Sequence, residues 1–267
     1  MIIQAEQPSH HYLTISQPAH SWVSGQFARA WGNNIFSEFQ PFEQVCYAAE
    51  QHDVGFLEWE NAPTLNQATG LPHTFEDLSE QVHFEIWRTG IFQLCTVCPY
   101  ASLIVSLHFC NLCERFHRPF ADDDQSRSGA FLKEQRKYQE TVRTSLRSDP
   151  LLKKALENDV LAYHRDLIAA WDYLSLELCR NRSDHFKVPH VPVCNNDYAE
   201  IRVLKVDGLT NVWAVDPWPF KDQTVTAVCE AKEIRGRFDN ADAMHAELQC
   251  ARRFTLQFQF QRRSREL

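Results

Sequence analysis

Apolar residues recur every three to four positions through residues 16–180 and every second position near both ends, so helices are expected in the middle and strands at the flanks. Met1-Ile2-Ile3 and Tyr12-Leu13-Thr14-Ile15 are short strand candidates. Ser16-Gln17-Pro18 reads as a helix start, with Ser at the cap and Pro inside the first turn. Trp22, Val23, Phe27, Ala30 and Trp31 follow at helical spacing, and Gly32-Asn33-Asn34 ends the run. Pro41 opens a second helix, Phe42 to about Asp53, with Val45, Cys46, Ala48 and Ala49 on its apolar face; Gly55 breaks it. Residues 60–72 carry Pro63, Gly70 and Pro72 and read as a loop. A further helix spans Glu76 to Cys98. The next, from Pro99 and Tyr100 to about Phe116, is apolar all round and is therefore expected to be central and buried. Asp122-Asp123-Asp124 caps a mostly polar helix reaching Arg147. Asp149-Pro150 starts the last long helix, to about Arg180, with room for a break between Asn158 and Val160.

After Asn181 the rhythm changes. Pro189, Pro192 and Asn195-Asn196 read as a linker. Residues 201–206, 212–215 and 224–228 alternate, with Asp207-Gly208 as a turn signal. Asn240 to Arg252 looks helical, and Phe254, Leu256, Phe258 and Phe260 alternate with polar residues as in a half-buried strand. The fold class is α+β. A mainly helical core covers residues 16–183, and a small β-β-β-α-β portion covers 184–267, which the strands of residues 1–15 are free to join. No internal repeat is visible.

Composition narrows the class. The chain has 267 residues, 44% apolar and 12% aromatic, with only eight Gly, which excludes disorder and fibrous repeats and provides a sizeable core. A formal charge of -8 argues against a nucleic-acid backbone as partner, because phosphate neutralisation wants clustered Lys and Arg. No apolar run approaches the roughly 20 residues that span a bilayer. The start lacks a basic region and a long apolar stretch, so no secretory signal is expected and the cytoplasm is the expected location. Nine Cys then read as reduced thiols, since an odd number cannot all pair.

Twelve His direct the search for chemistry. His52-Asp53 ends the alanine-bearing second helix. His20 lies in the first turn of the helix before it, His83 early in the helix after the loop, His108 in the central apolar helix, and Asp172 in the late helix between Trp171 and Tyr173. Each alone has a plain reading: a solvated helix end, a His bonded to a carbonyl, an Asp paired with an Arg. Burying His108 and Asp172 without partners is costly, however, and one divalent cation satisfies the whole set. Imidazole nitrogen and carboxylate oxygen suit iron, manganese, zinc or nickel. A rival zinc site, Cys95-x2-Cys98 with Cys110-x2-Cys113, fails on length: a helix through 99–113 sets the halves about 18 Å apart at 1.5 Å per residue. Those Cys read as small core residues at i, i+3 spacing.

The order His, His-Asp, His, His, Asp over successive helices resembles the HD-domain superfamily of metal-dependent phosphohydrolases. More narrowly, the chain resembles a bacterial family of unassigned activity with an HD-like helical core. The stretches that carry this are Gln17-Pro18-Ala19-His20, residues 48–60, residues 99–108, residues 171–179 and Asp216-Pro217-Trp218-Pro219-Phe220. The resemblance implies His20, His52, Asp53 and Asp172 as ligands of one metal. It implies His83 and His108 as completing a second site with Asp53 bridging, and a metal-bound hydroxide attacking phosphorus. It implies one or two divalent ions and a small phosphorylated or nucleotide-like substrate. One departure matters: many HD hydrolases place a Lys three residues after the Asp, and here Phe56 stands there.

That departure leaves two functions open, a hydrolase and a non-catalytic metal-dependent binding or sensor protein. Arg88, Arg115 and Lys154 are candidate substitutes for the cation in binding substrate, against a solvated helix face. Glu58 and Glu60, with Asp53, are candidate acid/base residues or extra ligands, against turn caps facing water. His164 is the alternative ligand, since it shares a helix with Asp172. His10, His11, His117, His185 and His190 read as surface residues. Residues 216–220 form a rigid aromatic strand exit that either shapes a pocket or packs the sheet on the helices. Five Arg at 252, 253, 262, 263 and 265 read as a solvated end. A homo-oligomer is compatible with all of this; a membrane is not.

Overall fold

Ser16 marks the first change of element. Its hydroxyl accepts the Ala19 N–H, Pro18 lies in the first turn, and α1 runs Gln17–Ala30. Before it stand β1 (Ile2–Ile3) and β2 (His11–Ile15). The computed structural model describes residues 1–7, 10–116, 126–194 and 197–263. Next come α2 (Phe42–Gln51) and α3 (Phe56–Asn61), separated by the turn that holds His52 and Asp53. The expected loop contains the end of α3 and a hairpin, β3 (Leu65–Asn66) with β4 (Leu71–Pro72).

Four long helices follow: α4 (Glu80–Val97), α5 (Pro99–Phe116), α6 (Arg127–Leu146) and α7 (Asn158–Arg180). α5 is buried along most of its length, as its all-round apolarity requires. The cap of α6 is Ser126, whose hydroxyl accepts the Gly129 N–H; Asp122 to Asp124 lie outside the described residues. Residues 149–157 are turns rather than helix, so α7 begins only at Asn158.

The sheet is larger than the alternation suggests. Its order is β1-β2-β8-β9-β7-β6-β5, with β5 (His185–Val193), β6 (Asp197–Lys205), β7 (Val212–Asp216), β8 (Thr224–Arg235) and β9 (Arg252–Arg262). All neighbours are antiparallel except β7 and β9. The Pro189 and Pro192 part of the expected linker is in fact in β5. Both prolines are tolerated because β5 is the edge strand and its register breaks between Val188 and Val191. Asn195-Asn196 lie outside the described residues. α8 (Ala241–Cys250) joins β8 to β9. On β9, Phe258 and Phe260 are buried while Gln257 and Gln259 face out.

The architecture is thus mixed α and β, with helices packed on a seven-stranded sheet. α1 is the joint. It packs on β8 on one side and on α2 and α7 on the other. β2 covers β8 only from Lys232 on, and the Gln26 amide of α1 pairs with the open edge: its Nε2 donates to Val228 O (2.8 Å) and its Oε1 accepts the Val228 N–H (2.9 Å). Phe27 meets Phe260 of β9 edge to face at 5.2 Å. One apolar core runs from Ile2 and Ile15 through the helices to Phe258 and Phe260. No described helix is long and apolar enough to cross a membrane.

Candidate metal centre

Helices α1, α2, α5 and α7 converge, and each carries polar residues into the convergence. α1 brings His20, the end of α2 brings His52 and Asp53, α5 brings His108 and α7 brings Asp172. Two glycines permit the approach. A Cβ on Gly25 of α1 would lie 2.5 Å from Glu50 Cβ and 2.9 Å from Glu50 Cα, so only Gly lets α1 reach α2 beside His52. A Cβ on Gly55 would lie 2.2 Å from Ile86 O, so the turn after Asp53 sits directly on the α4 backbone.

The contacts form one cluster. His20 Nε2 is 2.9 Å from Asp53 Oδ2 and 3.8 Å from Asp172 Oδ1. His52 Nε2 is 3.6 Å from Asp53 Oδ2 and 3.4 Å from Asp172 Oδ1. His108 Nε2 is 3.3 Å from Asp172 Oδ2. The His52 ring lies edge-on to both His20 (5.2 Å) and His108 (5.8 Å). His20, His52, Asp53 and His108 are buried; Asp172 keeps 16% of its side chain exposed and forms the open edge.

Donors and acceptors fix the Nδ1 side of both rings. His52 Nδ1 is 2.9 Å from Ala49 O, an acceptor only, so Nδ1 carries a proton and Nε2 is the atom turned toward Asp53 and Asp172. The Ser175 hydroxyl donates to Asp172 O (2.9 Å) and so accepts from His20 Nδ1 (2.9 Å), while His20 Nε2 is within hydrogen-bond distance of Asp53 Oδ2 (2.9 Å). Ser24 Oγ braces Ser175 Oγ at 2.8 Å. With neutral rings, two lone pairs would face two carboxylates, so the arrangement calls for protons or a cation between them. His52 Nε2 and both nitrogens of His108 have no hydrogen-bond partner. Leaving such groups bare in a core costs about 1–3 kcal/mol each.

Burial pushes the His52 imidazolium pKa down, but the Asp53 and Asp172 carboxylates outweigh it and raise it to about 9. Burial pushes the Asp53 carboxyl up, and His52 and His20 hold it below the ordinary value. Against the same burial cost, His108 and His52 hold Asp172 well below it. The site therefore favours anionic oxygens and demands positive charge beside them. Neutral imidazoles with two carboxylates carry two negative charges, which one divalent ion balances. His20, His52 and Asp53 each offer a ligand atom within 4.8 Å of the others, and this group could hold a metal ion.

Other sequence candidates fall elsewhere. His83 packs its ring on Trp87 (4.6 Å) and Phe56 (5.8 Å). Phe56, where HD hydrolases carry Lys, is core at 1% exposure. Glu60 accepts the Gln17 N–H (3.0 Å) at the start of α1 and pairs with the Met1 amine, so it caps a helix. Glu58 is exposed. Arg88 pairs with Glu134 at 2.8 Å and lies over Phe131. Arg115 lies over Phe116 at the exposed end of α5, and Lys154 is exposed in the turn before α7. His164 bonds Tyr100 Oη at 2.8 Å. His10, His185 and His190 are exposed and His11 is half-buried; His117 and Arg265 lie outside the described residues. Among the described residues, no Cys joins a group with metal-binding spacing.

The residues that sequence reasoning missed are Ser24 and Ser175. Ser175 stands three positions after Asp172 and so shares its helix face, which is the signal that was available.

No curated protein and no solved structure matches the chain. Residues 1–236 match the family model described as "Protein of unknown function (DUF3891)", and the chain belongs to that family.

Proposed function

We propose that this chain is a metal-dependent hydrolase of a small phosphorylated or nucleotide-like molecule, built on an HD-like helical core. The observation that supports the reading is the convergence of His20 Nε2 and His52 Nε2 with the Asp53 and Asp172 carboxylates on one buried point. The chain order His20, His52-Asp53, His108, Asp172 supports it. His20, His52, Asp53 and Asp172 would hold the ion, with His108 against Asp172. Iron, manganese, zinc or nickel suits these donors, and one ion suffices. When bound, the ion supplies Lewis-acid activation of water and of a phosphoryl oxygen.

The chain does the remaining work. Ser175 and the Ala49 carbonyl hold the His20 and His52 rings in one tautomer and orientation. Burial of His20, His52, Asp53 and His108 keeps bulk water off those groups. Substrate approaches over Asp172, the exposed member, where Asp172 Oδ2 and His108 Nε2 form an edge able to take up a proton.

One observation favours the binding or sensor reading. The position of the HD lysine is a buried Phe56, and Arg88 is engaged by Glu134. A panel of phosphomonoesters and phosphodiesters, assayed with manganese or iron, separates the two. We expect turnover that is lost, together with bound metal, in His52→Ala/Asp53→Ala. Metal retained by the native chain with no turnover on any ester would overturn the hydrolase and leave the sensor. The same metal content in both preparations would overturn the site.

A further inference from the structure

Arg136, Gln139, Glu140 and Arg143 stand at i, i+3, i+4 and i+7 along α6, and Asn158, Leu161 and Arg165 at i, i+3 and i+7 along α7, so each set shares one helix face. The two faces, with Leu107 of α5, line a cavity of about 180 Å³. That is below the roughly 300 Å³ at which pockets for drug-sized ligands begin, so the cavity suits a small molecule.

Three arginines reach this small space, and they are held in different ways. Arg165 grips the buried Asp166 Oδ1 through Nε (2.8 Å) and Nη2 (2.7 Å), so its charge is matched. Arg136 meets Glu114 at 3.2 Å with both side chains exposed, so that pair is worth little. Glu140, also in the lining, pairs with Arg147 at 3.1 Å. Arg143 differs. Its Nη2 donates to Leu156 O (3.0 Å) and Asn158 Oδ1 (2.8 Å), both neutral. The guanidinium is therefore fixed in place, while no carboxylate among the described residues pairs with it. Its Nε and Nη1 spend no hydrogen bond within the protein and, unlike the Arg180 Nε, are open to solvent.

We propose that this cavity binds a small phosphate-bearing anion of two or more charges. Arg143 takes its oxygens through Nε and Nη1, the fork that matches a phosphoryl group, and Arg136 exchanges Glu114 for it. Because neutral acceptors already hold Arg143, little side-chain freedom is lost on binding. Leu107 and Leu161 in the lining lower the local dielectric and strengthen the charge-assisted bonds. A monovalent carboxylate meets the same donors with less charge. The site shares no residue with the metal centre and does not rest on the hydrolase reading.

Pyrophosphate is the probe and acetate the control, each titrated calorimetrically into the full chain at constant ionic strength. Pyrophosphate should bind saturably and acetate should not. Arg143→Gln should weaken binding by about tenfold or more, the worth of a charge-assisted bond, with metal content unchanged. Arg143 also ties down the turn before α7, so Arg136→Gln is the second variant: its side chain is 65% exposed, the fold is kept, and binding should weaken several-fold. The proposal is overturned by the absence of saturable pyrophosphate binding, by equal binding of acetate, or by unchanged affinity in the two arginine variants, which would place any bound pyrophosphate elsewhere, the metal centre included.

Discussion

Two histidines buried in the same helical body, His52 at the end of α2 and His164 on α7, meet opposite surroundings. His164 is hydrogen-bonded to Tyr100. The Tyr100 hydroxyl donates to Ala155 O (2.9 Å), so it accepts from His164 Nδ1 at 2.8 Å. Aromatic rings of Phe39, Tyr100 and Tyr163 enclose the rest, and burial alone pushes its pKa down to about 4. His52 suffers the same burial, yet Asp53 and Asp172 lift it to about 9. Burial by itself therefore makes a neutral, structural imidazole. Carboxylates converging on a bare nitrogen make a seat for positive charge. α7 carries both situations, His164 in the first and Asp172 in the second.

The sharpest way to break this contrast is to remove the carboxylate that three imidazoles share. On the proposed reading Asp172→Asn lowers metal affinity by more than the roughly 10–100-fold that loss of an outer hydrogen-bond partner costs. His164→Asn leaves affinity unchanged, because the amide nitrogen replaces Nδ1 toward Tyr100. Equilibrium dialysis against manganese or zinc with elemental analysis measures both. Equal loss in the two variants would erase the distinction.

The next test reads the same difference through acid stability. The folded pKa of His164, about 4, lies below the unfolded value of about 6.5, so the unfolded chain takes up the proton first as pH falls. The contribution is whole above pH 6.5, drains away between 6.5 and 4, and totals about 3 kcal/mol. Asp53 and Asp172, held below their ordinary values, add an acid slope of the same sign at lower pH. Urea unfolding of the native chain and of His164→Asn at pH 7, 5.5 and 4 isolates the His164 share. The variant should lose about 3 kcal/mol less on acidification; parallel curves would show that His164 is not held neutral by burial.

The long periodic segments were legible in the sequence: α1 with its Ser16 cap, α5 with its continuous apolarity, and β9 with its strict alternation. β5 was hidden because Pro189 and Pro192 are turn residues everywhere except on an edge strand, and edge position is a property of the finished sheet. The small α3 and the β3–β4 hairpin are too short to establish a period. Within the centre, His20, His52, Asp53, His108 and Asp172 could be named from residue type and apolar surroundings. That His83 packs on Trp87 and Phe56 instead of joining them could not, because that depends on how its helix docks on the rest. Glu60 shows the same limit: its buried carboxylate caps α1, a partner 43 positions back along the chain.

Ser175→Ala has the smallest expected effect and tests the ring assignment itself. Its hydroxyl is what His20 Nδ1–H donates to, and Ser24 Oγ leans on it at 2.8 Å. Without it, His20 is free to rotate or to change tautomer, and its Nε2 is no longer held toward Asp53. Metal affinity should fall roughly 10–100-fold, the usual cost of removing a partner behind a ligand. The metal-free chain should lose about 1–3 kcal/mol from the orphaned donor. The two losses separate the readings. A stability loss with unchanged metal affinity would make Ser175 an ordinary buried hydroxyl and take His20 out of the metal's reach. A loss of affinity that Ser175→Thr restores would place the hydroxyl behind a ligand, because Thr keeps the oxygen that fixes the ring.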